Sequence, residues 1–275
     1  MKKSKLKENL KYVLIFLVGF AVAMYPLISR LYYRIEANSA EHDFDTTAKK
    51  IDKKEIDRRI RLAQIYNKTL DPSKLADPYS EKEKKNAISE YARMLEVKEK
   101  IGHVEIPKIN QDLPIYAGTS EEVLQKGVGH LEGTSLPVGG KGTHTVLTAH
   151  RGLPTAKLFT DLNKMKKGDV FYIHNIKEVL AYKVIDIFVV EPSDFDKVLV
   201  VEGKDYCTLL TCTPYMINSH RLLVRAERTE YNPAAVEKDL VSQVTGKYKI
   251  YLIISLIIIA ILLWYYIRQR RRKKN

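Results

Sequence analysis

Two short runs of strand-forming residues, Thr208-Leu209-Leu210-Thr211-Cys212 and Leu222-Leu223-Val224, stand on either side of a turn and make the chain double back there. Pro214 and Asn218-Ser219 supply the turn chemistry. Proline presets one backbone angle, and asparagine and serine fold their side chains onto nearby amides. The expected result is an antiparallel pair with Cys212 at the end of one strand and Arg221 at the start of its return. A thiol and a guanidinium then meet at a sheet rim, where a substrate can reach both.

A cysteine that does chemistry needs help with its proton, because a free thiol with a pKa of about 8.5 is only a few per cent ionised at neutral pH. Histidine is the natural partner. Among seven histidines, His150 is placed like Cys212: it ends the strand-like run Thr145-Val146-Leu147-Thr148-Ala149 and precedes the loop Arg151-Gly152-Leu153-Pro154. The bland alternative makes Cys212 a small buried apolar residue, as most free cysteines are. Spacing alone leaves both open.

These blocks carry a family resemblance. Thr208-Leu209-Leu210-Thr211-Cys212 resembles the TLxTC signature of sortases, the cysteine transpeptidases of bacterial cell surfaces. Thr148-Ala149-His150-Arg151-Gly152 and Arg221 match that family's catalytic histidine and arginine. The likeness covers roughly residues 45 to 230, with three separated motifs in the right order. The subgroup it resembles is class C, the pilus-assembling kind.

The formal charge of +13 invites a nucleic-acid reading, but the excess sits at the chain ends. Residues 1–11 hold five lysines and one glutamate, and residues 268–275 hold six basic residues and no acid. Of 46 basic and 33 acidic residues, 35 and 32 remain once those ends are set aside, a net of only +3. The charge therefore reports membrane topology and gives no footprint for nucleic acid. Tyr12 to Ser29 and Ile250 to Ile267 are free of charge. At about 1.5 Å per residue, each makes roughly 27 Å of helix, close to the hydrocarbon thickness of a bilayer. Trp264-Tyr265-Tyr266 fits an interfacial belt at the second span. Basic termini outside both runs put the two ends in the cytoplasm and residues 30–247 outside the cell, a multi-pass cell-membrane protein with an extracellular catalytic region. The first run can also serve as the apolar core of a signal peptide, with Asn38-Ser39-Ala40 a distant cleavage site. Its length and the lack of a nearby small-residue site favour a retained span.

Outside the cell, two cysteines suggest a disulfide. Cys207 and Cys212 fall on one expected strand, however, with Cα atoms about 16 Å apart against a bridging limit near 7 Å. Their odd separation also turns them to opposite faces. Cys207 reads as core and Cys212 as free.

Residues 49–70 carry Ile56, Ile60, Ala63 and Leu70 on one face, the pattern of an amphipathic helix. A proline-punctuated loop follows from Asp71 to Ser80, then a capping box at Ser80 and Glu83 and a second apolar stripe at Ile88, Tyr91, Ala92 and Leu95. Taken alone, the loop is a connector. The resemblance implies a class C lid over the active site, with Asp77-Pro78-Tyr79 as its motif and tyrosine where tryptophan or phenylalanine is more familiar. The earlier Asp71-Pro72-Ser73 lacks the aromatic and is the weaker candidate.

From Gly102 the texture changes to short alternating strands: 103–106, 112–116, 143–149, 169–174, 179–190, 206–212 and 221–231, separated by clusters such as Pro137-Val138-Gly139-Gly140. Many short strands with turn signals argue for an all-β barrel or sandwich. The resemblance implies the eight-stranded sortase barrel, preceded by a helical, lid-bearing extension and framed by membrane-spanning segments. Ala156 to Lys166 suits one short surface helix. His144 shares a strand face with His150 by parity but has no cysteine or arginine partner in the pattern. His103, His130, His174 and His220 lack metal-ligand spacing, and there is no phosphate loop, so neither a metal nor another cofactor is expected. The expected organisation is a cytoplasmic end (1–11), a span (12–29), helices and lid (30–100), the catalytic barrel (101–231), a linker (232–247), a second span (248–267) and a basic tail (268–275).

The resemblance implies the chemistry. Cys212 attacks the carbonyl of a sorting signal like LPxTG, His150 transfers protons, and Arg221 steadies the oxyanion or orients the substrate. A lysine amine of a pilin then resolves the thioacyl enzyme. The expected partners are pilin or surface-protein substrates, the acceptor lysine and the lipid bilayer. Three alternatives stand: a housekeeping sortase that uses cell-wall precursor, a cysteine peptidase that uses water, and a non-enzymatic membrane-anchored surface binding protein.

Overall fold

Each strand-like segment has an apolar face to bury, and pairing them in a ring removes the exposed edges that an open sheet would leave. A computed structural model describes residues 2–70 and 92–233. Its strands are β1 (Lys100–Ile106), β2 (Gln111–Ala117), β3 (Val128–His130), β4 (Thr143–Thr148), β5 (Val170–His174), β6 (Val179–Val190), β7 (Asp205–Thr213) and β8 (His220–Thr229). They close as an eight-stranded barrel in the order β1-β2-β3-β4-β7-β8-β6-β5. The β2–β3 and β4–β7 pairs are parallel, and the others antiparallel.

All eight strands feed the main core, including Val104, Ile115, Val128, Leu147, Phe171, Tyr182, Leu209 and Val224. A second, smaller cluster lies on the other face of the same sheet, where Val146, Leu210 and Leu223 meet Leu131 and Val198. The β4 strand is buried throughout, and β7 is buried at every position but its ends. Strands covered on both faces must be apolar on both, which is why Thr145–Ala149 and Cys207–Cys212 read as near-continuous runs.

One expectation needs correction. Ala156 to Lys166 is not a surface helix: only Leu162–Lys164 makes a single 3-10 turn. Ala156, Leu158, Phe159, Leu162 and Met165 all point into the main core. Leu158 adopts φ 40°, which breaks any helix there. The eight-stranded barrel is as the resemblance implied. The alternation reads as seven strands, and β3 is the eighth: three residues around Gly129 give no alternation to read. Glycine is required there because a Cβ would lie 2.5 Å from the Gly118 carbonyl oxygen.

Helix α1 (Lys2–Ala48) runs unbroken past Arg30 with Pro26 inside it, and α2 (Lys53–Lys68) follows. The apolar residues from Leu14 to Val22 stay exposed, and this is the one described helix long and apolar enough to cross a membrane. Beyond the apolar stretch, Ala37, Glu41, Phe44 and Ala48 recur at helical spacing and bury against β1 and β2. In α2, Asp52 caps the start by accepting from the Lys54 amide, and Ile60, Ala63 and Asn67 form the buried stripe. Leu70 falls past the helix end. Asn67 does what a paired strand does: its Nδ2 donates to the Leu136 carbonyl (3.2 Å) and its Oδ1 accepts from the Leu136 amide (2.8 Å). Ser80, Glu83, Ile88 and Tyr91 lie outside the described residues; Ala92 and Leu95, the rest of the second apolar stripe, are buried in the main core.

The α1–barrel contact contains charge. His103 on β1 bonds Asp112 of β2 through Nδ1 (2.7 Å) and Asp45 of α1 through Nε2 (3.3 Å). The His174 ring stacks on it at 4.1 Å. Burial opposes a charge on His103, but the hydrogen bonds and charges of Asp112 and Asp45 outweigh it and hold the imidazole up to about 10. Glu41 is pushed up to about 8, first by burial and then by Asp112. Both groups bind protons more tightly folded than unfolded, so both lose stabilising effect as pH rises. For Glu41 the loss runs from the ordinary carboxyl value of 4.5 to about 8. For His103 it runs from 6.5 to about 10. Urea midpoints should therefore fall between pH 6 and pH 9.5, and His103→Gln should flatten that slope. A midpoint that rises over this range would contradict the assignment.

Candidate active site

Strand register brings the three sequence-predicted residues into one row. Every β4–β7 partner pair, from Thr143↔Asp205 to Thr148↔Leu210, keeps the same offset. Past the end of β4 the chain stays alongside β7. The Ala149 amide donates to the Leu210 carbonyl (3.3 Å), and the Thr211 hydroxyl donates to the Ala149 carbonyl (2.7 Å). One residue further along the same offset, His150 lies beside Cys212. On the other side of β7, Cys212 pairs directly with Arg221 of β8. Histidine, cysteine and arginine thus occupy neighbouring positions on β4's extension, β7 and β8.

Alternation fixes their face. Leu209, Leu222 and Val224 point into the main core, whereas Leu210 and Leu223 point to the smaller cluster. Cys212 and Arg221 share parity with the second set, so they lie on the outer face at the end of the strands. Cys212 and Arg221 are each only 7% exposed. Cys207 points into the main core, where burial raises its thiol well above the ordinary value, and both cysteines are free. That agrees with the opposite-face expectation.

The β7–β8 turn shapes the site from below. Its Pro214 carbonyl accepts from the Ile217 (3.1 Å) and Asn218 (3.0 Å) amides, with Met216 and Asn218 in the left-handed region. The Arg221 Nη1 donates to the carbonyls of Asn218 (3.0 Å) and His220 (3.1 Å), which ties the guanidinium to the turn. Arg225, two alternations down the same face, is engaged by Asp186 at 2.7 Å and lies over the Phe188 and Tyr206 rings.

Two residues near the row escaped the sequence reading. Arg151 donates from Nη1 to the Thr213 hydroxyl (2.9 Å) and the Cys212 carbonyl (3.4 Å), and from Nε to the Thr160 carbonyl (3.4 Å). It fastens the strand end that bears the cysteine. Next to it, Gly152 has φ +98°, and a Cβ there would lie 3.0 Å from the Tyr215 ring, so the turn packs directly on bare backbone. The other residue is Glu121, at the start of α3 (Glu121–Lys126), whose Oε1 is 3.2 Å from the His150 Nε2. Arg151 stood in view beside His150. For Glu121 the only signal was a helix-start pattern at Ser120-Glu121-Glu122. Asp77, Pro78 and Tyr79 lie outside the described residues.

Comparison with known proteins gives this arrangement a family. The sortase domain model matches residues 104–229. A solved structure of sortase C-1 from Streptococcus pneumoniae is 60% identical, covers 70% of this chain and 100% of its own, and superposes with a TM-score of 0.69. The chain belongs to the sortase family, whose members are cysteine transpeptidases. Its similar structures are pilus-related class C enzymes. Sortase C2 of Group B Streptococcus pilus island 1 is 66% identical, with 66% of this chain and 100% of that one covered and a TM-score of 0.62. Among curated relatives, sortase A of Bacillus anthracis is 33% identical over 48% of this chain. The chain spans 61% of that relative's length.

Cys207→Ser should keep Cys212 open to a thiol reagent and cost about 1–3 kcal/mol, the penalty of an unsatisfied buried hydroxyl. Peptide mapping and denaturant titration check both parts. A folded variant that no longer labels at Cys212 would speak against the two-face arrangement.

Proposed function

We propose that this protein is a membrane-anchored class C sortase, a cysteine transpeptidase that joins pilin subunits through a sorting signal like LPxTG. The reading rests above all on the single row of His150, Cys212 and Arg221 across neighbouring strands. In it, the Cys212 thiolate adds to the carbonyl carbon of the threonine–glycine bond. Arg221 donates to the developing oxyanion, as a fixed cation in a partly buried cleft can. The carbon–nitrogen bond breaks, and the leaving amine takes its proton from His150. A pilin lysine amine then adds to the thioester and returns a proton to His150, and the Cys212 thiolate leaves. Neither a metal nor another cofactor has a role in these steps.

Identities near 60% to pilus-related enzymes, against 33% to a sortase A, favour pilin over cell-wall precursor as the acceptor. The exposed apolar half of α1 supports a first membrane span. The second span at 248–267 and cytoplasmic placement of both termini rest on the charge pattern alone.

The test is to incubate the full chain in detergent with a labelled sorting peptide and lysine, cell-wall-precursor or water acceptors, and to identify products by mass spectrometry. Cys212→Ala should abolish the thioacyl adduct. His150→Ala and Arg221→Ala should each lower turnover by about 10²–10³, the usual cost of one such group. Near-normal turnover in Arg221→Ala would remove its assigned role, and products formed only with water would make the protein a peptidase.

The Asp77-Pro78-Tyr79 segment is read as an occluding lid, with Asp77 facing Arg221 and Tyr79 covering Cys212. A charge-assisted hydrogen bond contributes about 1.5–3 kcal/mol and an aromatic contact about 0.5–1.5 kcal/mol. The closed state is then favoured by a few kcal/mol, with an open minority of about 0.1–10%. The double change Asp77→Ala, Tyr79→Ala should speed alkylation of Cys212 at least tenfold. Equal rates in two folded proteins would leave the segment a helix connector.

A further inference from the structure

We propose that Glu121 is a positioning residue for the reaction: it holds the His150 ring in place. The proposal builds on the transpeptidase reading above, in which His150 must carry a proton to the leaving amine.

The Glu121 Oε1 sits 3.2 Å from the His150 Nε2, and the same oxygen accepts from the Gln125 Nε2 at 3.0 Å. The carboxylate is thus steadied from one helical turn below. The helix that carries it is itself fixed. Ser120 caps its start by accepting from the Val123 amide, and Leu124 is buried. Tyr33 of α1 donates to the Lys126 carbonyl at 2.9 Å. Glu122, next in sequence, turns away and pairs with Lys126 at 2.8 Å. Of the two adjacent acids, one is aimed at the histidine and the other is a surface ion pair.

A carboxylate at this distance fixes an imidazole through the nitrogen it faces, so the ring keeps one orientation while it takes and gives its proton. Glu121 thus steadies His150 without touching substrate. His150 shows 19% and Glu121 45% side-chain exposure, so water screens the pair and the effect is moderate.

The test compares the wild-type full chain in detergent with Glu121→Gln, Glu121→Asp and the control Glu122→Gln, each checked for an unchanged melting curve. Glu121→Gln should lower kcat about tenfold with KM unchanged, and Glu121→Asp should recover part of the loss. In parallel, the rate of Cys212 alkylation by iodoacetamide is followed against pH, a readout that needs no substrate. Its midpoint should move in Glu121→Gln, as the ring loses its fixed place beside the thiol, and stay put in Glu122→Gln. An unmoved midpoint, or equal shifts in both glutamine variants, would make the contact a surface ion pair and overturn the proposal. If wild type turns over no peptide at all, the transpeptidase reading fails. The alkylation profile still decides whether Glu121 governs the cysteine–histidine pair.

Discussion

The parallel pairing of β4 with β7 is the constraint on which the rest depends. Parallel strands cannot be joined by a tight turn, so the chain between them must travel. Here it makes β5, β6 and their connections before returning as β7. That long excursion costs conformational entropy, and its return is burial: both strands are covered on two faces by separate apolar clusters. With both faces packed, a slip of one residue would exchange core for outer side chains along the whole strand. The register is therefore strongly specified, and the register is what sets His150 beside Cys212.

The third member of the row comes at little cost. β8 returns from β7 through a short turn, and an antiparallel hairpin fixes its own partners. The arginine needs only to be the right residue at the start of the return. The long-range pairing and the local hairpin thus divide the labour, one bringing in the histidine and the other the arginine. Arg151 and Gly152 then brace the junction, the first by bonding the Cys212 and Thr213 end and the second by giving Tyr215 room.

Much of this was legible in the sequence. The hairpin around Pro214 and Asn218 announced itself through turn chemistry, and the opposite faces of Cys207 and Cys212 followed from parity alone. Barrel closure did not follow from alternation, because sandwiches and barrels share it; there the family resemblance carried the expectation. β3 escaped because three residues centred on glycine show no period. The segment 156–166 misled because its apolar residues suit a helix face, while Pro154 and the left-handed Leu158 instead fold it inward as an irregular plug. Glu121 was invisible for a different reason: its role depends on a contact across 29 residues that no local pattern encodes.

If α1 anchors the protein as proposed, its place relative to the row matters. Arg30, the residue that closes its charge-free run, donates from Nε to the carbonyl of Pro154 at 3.3 Å. Pro154 belongs to the loop that begins with His150, so this loop is level with the end of the apolar half of α1. With that half in a bilayer, the reactive row opens at the height of the lipid headgroups. An extended chain advances about 3.3–3.6 Å per residue. A substrate still rooted in the same leaflet could then present its cleavage point with a stem of only a few residues.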